Sequence, residues 1–397
     1  MKRILVFSHS LELGGVEKAL LGLLEGLDPS EYEIDLFLMR HSGELMKYIP
    51  SHVRLLPEIP AYASMAVPPV EALKRGQLRV LAGRVRGKIA AKRFRRRFGD
   101  DGGGMAEMLY SHLYTVRAMP RVGDGIYDLA ISFLTPHYYV AEKVDADRKV
   151  AWIHTDYSAI VTDVAEEERM WSKYDRIVAV SDASAASFGS VFTSLKPKLT
   201  VFENRLPRVY MKGLEDAFDV SFEMPDDGRI KLLSVGRFCE AKNFDSIPEI
   251  CRRILAKGLN IVWYIIGFGG DEPLIRRRIA EEGVEASVIV LGKRENPYPY
   301  MKTCDVYVQP SRYEGRCVAV QEAQALGKPV IITAYPSSAS QLTDGVDGWI
   351  VPLENEACAE ALSELLRSKE KLNSVVHVAD NNVNGAGMID LSFLMGE

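Results

Sequence analysis

Two successive runs of alternating strand and helix predict an α/β protein of two doubly wound domains, and three observations carry that expectation. The chain has 397 residues, too many for one ordinary core and enough for two domains of about 200. Its strand-like runs are short, apolar and separated by helix-length segments, as in parallel sheets covered on both faces. A stretch rich in Pro, Gly and Asp then interrupts the alternation, which restarts beyond it. With 47% hydrophobic and 26% charged residues, the composition is that of a folded soluble protein.

The first domain opens on an apolar run at 3–8, followed by a second at 33–39. Between them Val16, Ala19, Leu20, Leu23, Leu24 and Leu27 recur along one helical face, so the chain begins with a βαβ unit. Further strands are expected at 128–134, 149–154, 176–181 and 199–203. The first domain is taken as 1–204, with 205–229 as a linker of helix breakers lacking sustained periodicity. The second domain, 230–373, has strand-like runs at 230–235, 260–266, 287–291, 304–309 and 329–333, and a last clear helix near 355–367. Residues 374–397 form an atypical tail, broken by an Asn/Gly cluster at 381–387. In doubly wound sheets ligands bind at the carboxyl ends of the strands, so the functional residues are sought there.

The formal net charge of −5 gives no general reason to expect nucleic-acid binding. All five cysteines lie in the second half, without a CxxC pair, which argues for reduced thiols and against a disulfide framework or structural zinc. The opening MKRILVFSHS is too short for a signal peptide and no apolar run reaches 18 residues, so the expected location is cytoplasmic.

Three groups of residues could carry chemistry. Gly14-Gly15 stands between the first strand and its helix, where it would admit an anion to the helix N-terminus; an ordinary turn explains it equally well. Arg237 and Lys242 follow the strand at 230–235 and suit a diphosphate, whereas either alone reads as a solvated surface charge. Glu314 closes the loop after the strand at 304–309, and Glu322 lies eight residues on, in a helix of small apolar residues. A carboxylate there is costly unless a polar ligand or partner meets it.

Taken together, SVGRFCEAKNFD at 234–245, the Glu314/Glu322 pair, LGKPVIIT and DGVDGWIVP resemble the family 4 retaining glycosyltransferases, the glycosyl transferases group 1 with the GT-B fold. The similarity runs from residue 1 to about 368 and is more specific in the second domain. It implies two Rossmann-like domains facing across a cleft, an acceptor-binding first domain and a nucleotide-sugar-binding second. On this resemblance Glu314 contacts the donor sugar, Glu322 the ribose, and Arg237 and Lys242 the diphosphate. Gly14 and Gly15 form the loop after the first strand. Gly315, Arg316, Cys317 and Val318 offer backbone groups to sugar or phosphate, Lys293 or Arg294 lies near the base, and His154 lies close to the transferred sugar. By itself a histidine at a strand end is an ordinary hydrogen-bonded residue.

The implied activity is transfer of a hexose from a nucleoside diphosphate, with UDP expected from the family, to a polysaccharide or lipid-linked glycan, with retention, no cofactor and no metal. Asp145-Ala146-Asp147 spells a DxD, which elsewhere holds a cation, but it precedes a strand and so stands at the wrong end of the sheet. Two other readings stay open: a catalytically silent sugar-nucleotide-binding partner of another transferase, and a GT-B epimerase.

Between Lys74 and Arg97 stand eleven basic residues and no acid. Leu78, Leu81, Val85, Ile89, Phe94 and Phe98 recur among them at helix-like spacing. A basic amphipathic helix of this kind suits an anionic membrane, here the inner face of the plasma membrane, or a polyanionic acceptor. An ordinary helix with a solvated basic face is the plainer alternative.

Overall fold

A computed structural model of the chain describes residues 1–99, 105–206, 211, 214–375 and 388–395. The chain divides into two compact units, Met1–Arg205 with Met388–Glu397, and Leu206–Gly387.

The first unit is built on a parallel sheet of β1 (Lys2–Ser8), β2 (Tyr32–Leu38), β3 (Val53–Leu55), β4 (Tyr127–Ser132), β5 (Ala146–Ile153), β6 (Arg176–Ala179) and β7 (Leu199–Val201), in the order β3-β2-β1-β4-β5-β6-β7. Ile4 to Phe7 of β1 are wholly buried, as a central strand covered on both faces requires. The order reverses between β1 and β4, which places a crevice at their carboxyl ends. One face packs Leu5, Phe7, Phe37, Tyr62, Tyr139 and Trp171 into a largely aromatic core. The helix Gly15–Gly26 buries Lys18 to Leu24.

The long basic helix, Leu78–Phe98, packs on Met105–Thr115 in a way its apolar spacing does not foretell. Its buried residues are Val80, Gly83, Gly87, Ala91 and Phe94. A Cβ on Gly83 would lie 2.7 Å from Thr115 Cγ2, and one on Gly87 2.6 Å from the Ser111 backbone, so the glycines allow the two helices to touch. Of the six apolar positions read as one face, Leu78, Val85, Ile89 and Phe98 are exposed instead. Small residues made the close contact, and a pattern search weighted by apolar bulk overlooks them.

Of the tail, residues 388–395 belong to the first unit, while 374–375 stay with the second. Ile389 forms a parallel bridge with Leu27, its N–H donating to the Gly26 carbonyl at 2.6 Å, and the Phe393 ring stacks on Phe202 at 6.1 Å. Residues 376–387 and 396–397 of the tail lie outside the described residues.

The second unit holds a parallel sheet of β8 (Ile230–Val235), β9 (Ile261–Ile266), β10 (Val288–Gly292), β11 (Val306–Gln309), β12 (Val330–Thr333) and β13 (Trp349–Val351), ordered β10-β9-β8-β11-β12-β13. The order reverses between β8 and β11. Trp263, Ile265, Leu232, Val306, Ile331 and Leu362 fill its core. One polar relay inside is matched: Trp263 Nε1 donates to Ser234 Oγ at 2.9 Å, which donates to the Val308 carbonyl at 2.6 Å. Part of the stretch read as linker packs here, with Asn296 Nδ2 donating to the Leu214 carbonyl at 2.7 Å and Lys302 pairing with Asp216 at 2.7 Å. Residues 207–210 and 212–213 of that stretch lie outside the described residues.

Candidate active site

In the second unit the loops after β8, β9 and β10 are laid against one another by backbone bonds. Gly236 N–H donates to Ile266 at 3.0 Å, Gly267 N–H to Gly292 at 3.0 Å, and Phe238 N–H to Phe268 at 2.8 Å. Gly267 and Gly269 have φ of +156° and +155°, and a Cβ on either would meet the Gly236 carbonyl oxygen at 1.8 Å or the Phe238 carbonyl oxygen at 2.2 Å. Glycine is required at both positions.

Lys242 ends the short turn Glu240–Lys242, after which Asn243 takes a left-handed conformation with φ 57°. This reversal brings Lys242 Nζ to Glu314 Oε1 at 2.5 Å and to Cys317 Sγ at 3.6 Å. Glu314 Oε1 also accepts from Ser311 Oγ at 2.7 Å, and Ser311 accepts in turn from Gln309 Nε2 at 2.9 Å, at the end of β11. The Lys242 and Glu314 side chains are 17% and 12% exposed, enough for a ligand to reach them. Burial works against the Lys242 ammonium, but the Glu314 carboxylate hydrogen-bonded to it outweighs that and raises its pKa. Burial also pushes the Cys317 thiol up to about 11, so near neutrality it is a neutral thiol beside the Lys242 ammonium.

Arg237 is exposed in the loop after β8. Gly315 and Arg316 continue the loop from Glu314, and Arg316 Nη1 donates to the Ser340 carbonyl at 3.0 Å. Cys317 is the N-cap of the helix Val318–Ala325 and offers no side-chain cap, so the first N–H groups of that helix, from Val318 on, face the loop. Glu322 is wholly buried within the helix and accepts from Tyr298 Oη at 2.7 Å. At the end of β10 the two basic residues diverge. Lys293 Nζ lies 5.1 Å from the Phe268 ring centroid, while Arg294 donates to Tyr300 Oη at 2.9 Å and pairs with Glu223.

Gly14, Gly15 and His154 belong to the first unit. Gly14 is the extended N-cap of Gly15–Gly26, at the carboxyl end of β1. His154 follows β5 and its Nε2 donates to the Phe133 carbonyl at 2.9 Å, which fixes the tautomer and leaves Nδ1 as a buried acceptor with no hydrogen-bond partner among the described residues. Nearby is a cavity of about 160 Å³, lined among others by His112, His137, His154, Trp152, Trp171 and Glu167. Burial lowers the pKa of His154 to about 4 and those of His112 and His137 to about 3, so all three are neutral at physiological pH.

Asp145 and Asp147 lie at the amino end of β5, where Asp145 pairs with Arg121. Among the described residues no group of three or more His, Cys, Asp or Glu is arranged to hold a metal ion.

The structure thus brings Lys242, Glu314 and Cys317 into contact, with Arg237 on the same sheet edge. Sequence reasoning missed Ser311, Tyr298 and Phe268. Ser311, three residues before Glu314, was within reach of a local search; the other two depend on tertiary packing.

Residues 218–381 match the family model of the glycosyl transferases group 1. The matched stretch covers most of the second unit, which is similar to that family. Among similar proteins, the amylovoran biosynthesis glycosyltransferase AmsK of Erwinia amylovora is 30% identical over 145 residues, covering 34% of this chain and 35% of its own. A Campylobacter jejuni N-acetylgalactosaminyltransferase, named for a diphospho-undecaprenol-linked substrate, is 29% identical over 191 residues, covering 47% and 49%. These alignments therefore span between a third and a half of the relatives' length.

Solved structures cover the whole chain. Anabaena HepE in complex with UDP and glucose gives a TM-score of 0.66 at 16% identity over 100% of this chain and 98% of that one. Sucrose-phosphate synthase of Thermosynechococcus elongatus gives 0.66 at 15%, over 100% and 96%. At these identities the likeness shows the fold, which is GT-B with a Rossmann-like parallel sheet in each unit.

Proposed function

We propose that the chain is a retaining glycosyltransferase that moves a hexose from a nucleoside diphosphate sugar, UDP-linked, to a hydroxyl of a growing cell-surface polysaccharide or lipid-linked glycan. The observation that carries this reading is the Lys242–Glu314 pair at the carboxyl ends of β8 and β11, on the edge that also bears Arg237. Support comes from relatives named as glycosyltransferases of polysaccharide biosynthesis and from the UDP and glucose bound by HepE.

In this reading Arg237 and Lys242 receive the diphosphate and stabilise the charge it gains on leaving, the part that a divalent cation plays in DxD enzymes. Glu314 holds Lys242 and Ser311 through Oε1, and its Oε2 accepts from a hydroxyl of the donor sugar. With no free carboxylate placed as a covalent nucleophile in these motifs, the acceptor hydroxyl attacks on the face the diphosphate leaves and passes its proton to a departing phosphate oxygen. In the first unit His154, kept neutral, offers Nδ1 as an acceptor for a sugar hydroxyl. Glu322 orders the ribose side of the site through its helix and Tyr298.

The basic helix Leu78–Phe98 is assigned to the acceptor's surroundings. Its exposed Leu78, Val85 and Ile89 lie among exposed Arg79, Arg86, Lys88 and Lys92, a combination that suits the interface of an anionic bilayer holding a lipid-linked acceptor. Among the described residues no helix is long and apolar enough to cross a membrane.

Thermal denaturation against UDP-, GDP-, ADP- and dTDP-sugars in EDTA tests the proposal. A midpoint raised by one donor and unmoved in Glu314→Ala is the expected result, because a ligand that binds only the folded state stabilises it by mass action. No shift with any donor at high concentration would overturn the reading and favour a silent partner.

A further inference from the structure

We propose that Phe268, with Lys293 over its ring, is the platform on which the nucleobase of the donor stacks. The inference rests on the donor reading above and assigns a residue that neither the motifs nor the spacing marked.

Strand order supplies the position. Arg237 and Lys242 follow β8 and Glu314 follows β11, in a sheet ordered β10-β9-β8-β11. A donor lying with its diphosphate at β8 and its hexose at β11 must place its nucleoside on the other side of β8, over β9 and β10. Phe268 follows β9 and Lys293 follows β10.

Phe268 is anomalous for its place. Every residue of β9 before it is buried, yet its own large apolar ring is 39% exposed, in a loop between two glycines. The backbone that carries the ring is pinned. Phe268 O is held by Phe238 N–H at 2.8 Å, Gly267 N–H is held by Gly292, and the glycines on either side press against the Gly236 and Phe238 carbonyls. The same bonds tie the backbone that carries the ring to the loop that carries Arg237. Lys293 Nζ stands 5.1 Å from the ring centroid, a cation on the π face that a planar base can share or displace. An aromatic face accepts any base and distinguishes little between them, so this platform provides affinity for the nucleoside and leaves the choice of base to hydrogen bonds elsewhere.

The test is titration calorimetry of the full chain with the tightest-binding of UDP, GDP, ADP and dTDP, and separately with inorganic pyrophosphate. Phe268→Ala is expected to weaken the nucleotide about tenfold, the order of one base–aromatic stack. Pyrophosphate affinity should stay within about twofold, and Phe268→Tyr should restore nucleotide binding, since a second aromatic face supplies the same stack. Unchanged nucleotide affinity in Phe268→Ala, with wild-type binding intact, overturns this inference alone. A parallel loss of pyrophosphate affinity, or no recovery in Phe268→Tyr, also overturns it, because the ring would then be supporting the phosphate loop. If the wild-type chain binds none of the four nucleotides, the donor reading falls and this inference falls with it.

Discussion

Lys242 and Glu314 are 72 residues apart in the chain and share one ion pair, with the Cys317 sulfur 3.6 Å from the same ammonium. The cation proposed for the diphosphate and the carboxylate proposed for the sugar therefore orient each other before any donor arrives. Neither is a spare surface charge: removing either leaves the other poorly solvated, which costs more than the pair contributes.

Glu314→Gln keeps the shape of the side chain and removes its charge. Turnover should fall by about two to three orders of magnitude, the range for losing a preorganised electrostatic contact. The thermal midpoint should move by only a few degrees, roughly 1–2 kcal/mol for a pair that is still partly open to water. Steady-state rates and a melting curve on the same sample decide it, and near-normal turnover would remove Glu314 from the mechanism.

Acid should destabilise the first unit well above the pH at which carboxylates protonate. His154 has its pKa lowered from 6.5 to about 4, and His112 and His137 to about 3. Each binds a proton in the unfolded chain below about 6.5 but not in the folded one, so its contribution is fully present above that pH and is lost as pH falls toward the folded value. The slope approaches about 1.4 kcal/mol per pH unit for each such histidine. Denaturant midpoints between pH 7.5 and 5 measure it; His137→Gln should flatten the curve, and an unaltered slope would show that these imidazoles are not buried as described.

Gly267→Ala should cost roughly 2 kcal/mol or more, since the new Cβ meets a carbonyl oxygen at 1.8 Å with φ in a region closed to alanine. Gly228→Ala, also at positive φ but with open space around it, should cost less, because only the backbone strain remains. Equal effects would mean that the contact between the loops of β8 and β9 is looser than drawn.

Saturating EDTA should leave donor hydrolysis and transfer unchanged, because Arg237 and Lys242 supply the positive charge at the leaving group. A loss of activity that Mg²⁺ or Mn²⁺ restores would show that a metal is needed.

Sedimentation with vesicles of anionic and neutral lipid tests the basic helix. Binding should require the anionic lipid, weaken with salt, and fall when Leu78, Val85 and Ile89 are changed to serine, each basic residue near the surface contributing about 1 kcal/mol. Equal binding by the triple variant would leave the apolar stripe without this role.

Much of the fold was legible because central parallel strands must be continuously apolar: β1, β8 and β9 announce themselves by Ile4–Phe7, Leu232–Leu233 and Ile261–Ile266. β3 and β13 were not, each being only three residues at a sheet edge; β7, equally short, was read only because its apolar run extends to Phe202. The Lys242–Glu314 pair became visible only through two motifs read together, because each charge alone resembles solvated surface. Tyr298 beneath Glu322 and the turned-away Arg294 could not be read, because each depends on a partner brought in by tertiary packing. The helix Leu78–Phe98 misled by showing its apolar residues on the face that glycine packing leaves outward.

The bridge from Ile389 to Leu27 has a bearing on biosynthesis. Gly26 has no side chain where Ile389 settles, for a Cβ there would lie 2.6 Å from Ile389 Cδ1, and Ile389 itself is 2% exposed. A piece of the first unit's interior is thus supplied by a segment translated after the whole of the other unit. While the ribosome is still making Leu206–Gly387, the nascent first unit must wait with that apolar notch uncovered, and its last native contact closes a loop of more than 350 residues. The stage at which this chain is most open to aggregation or chaperone capture therefore lies late in synthesis, after most of both sheets can already have formed.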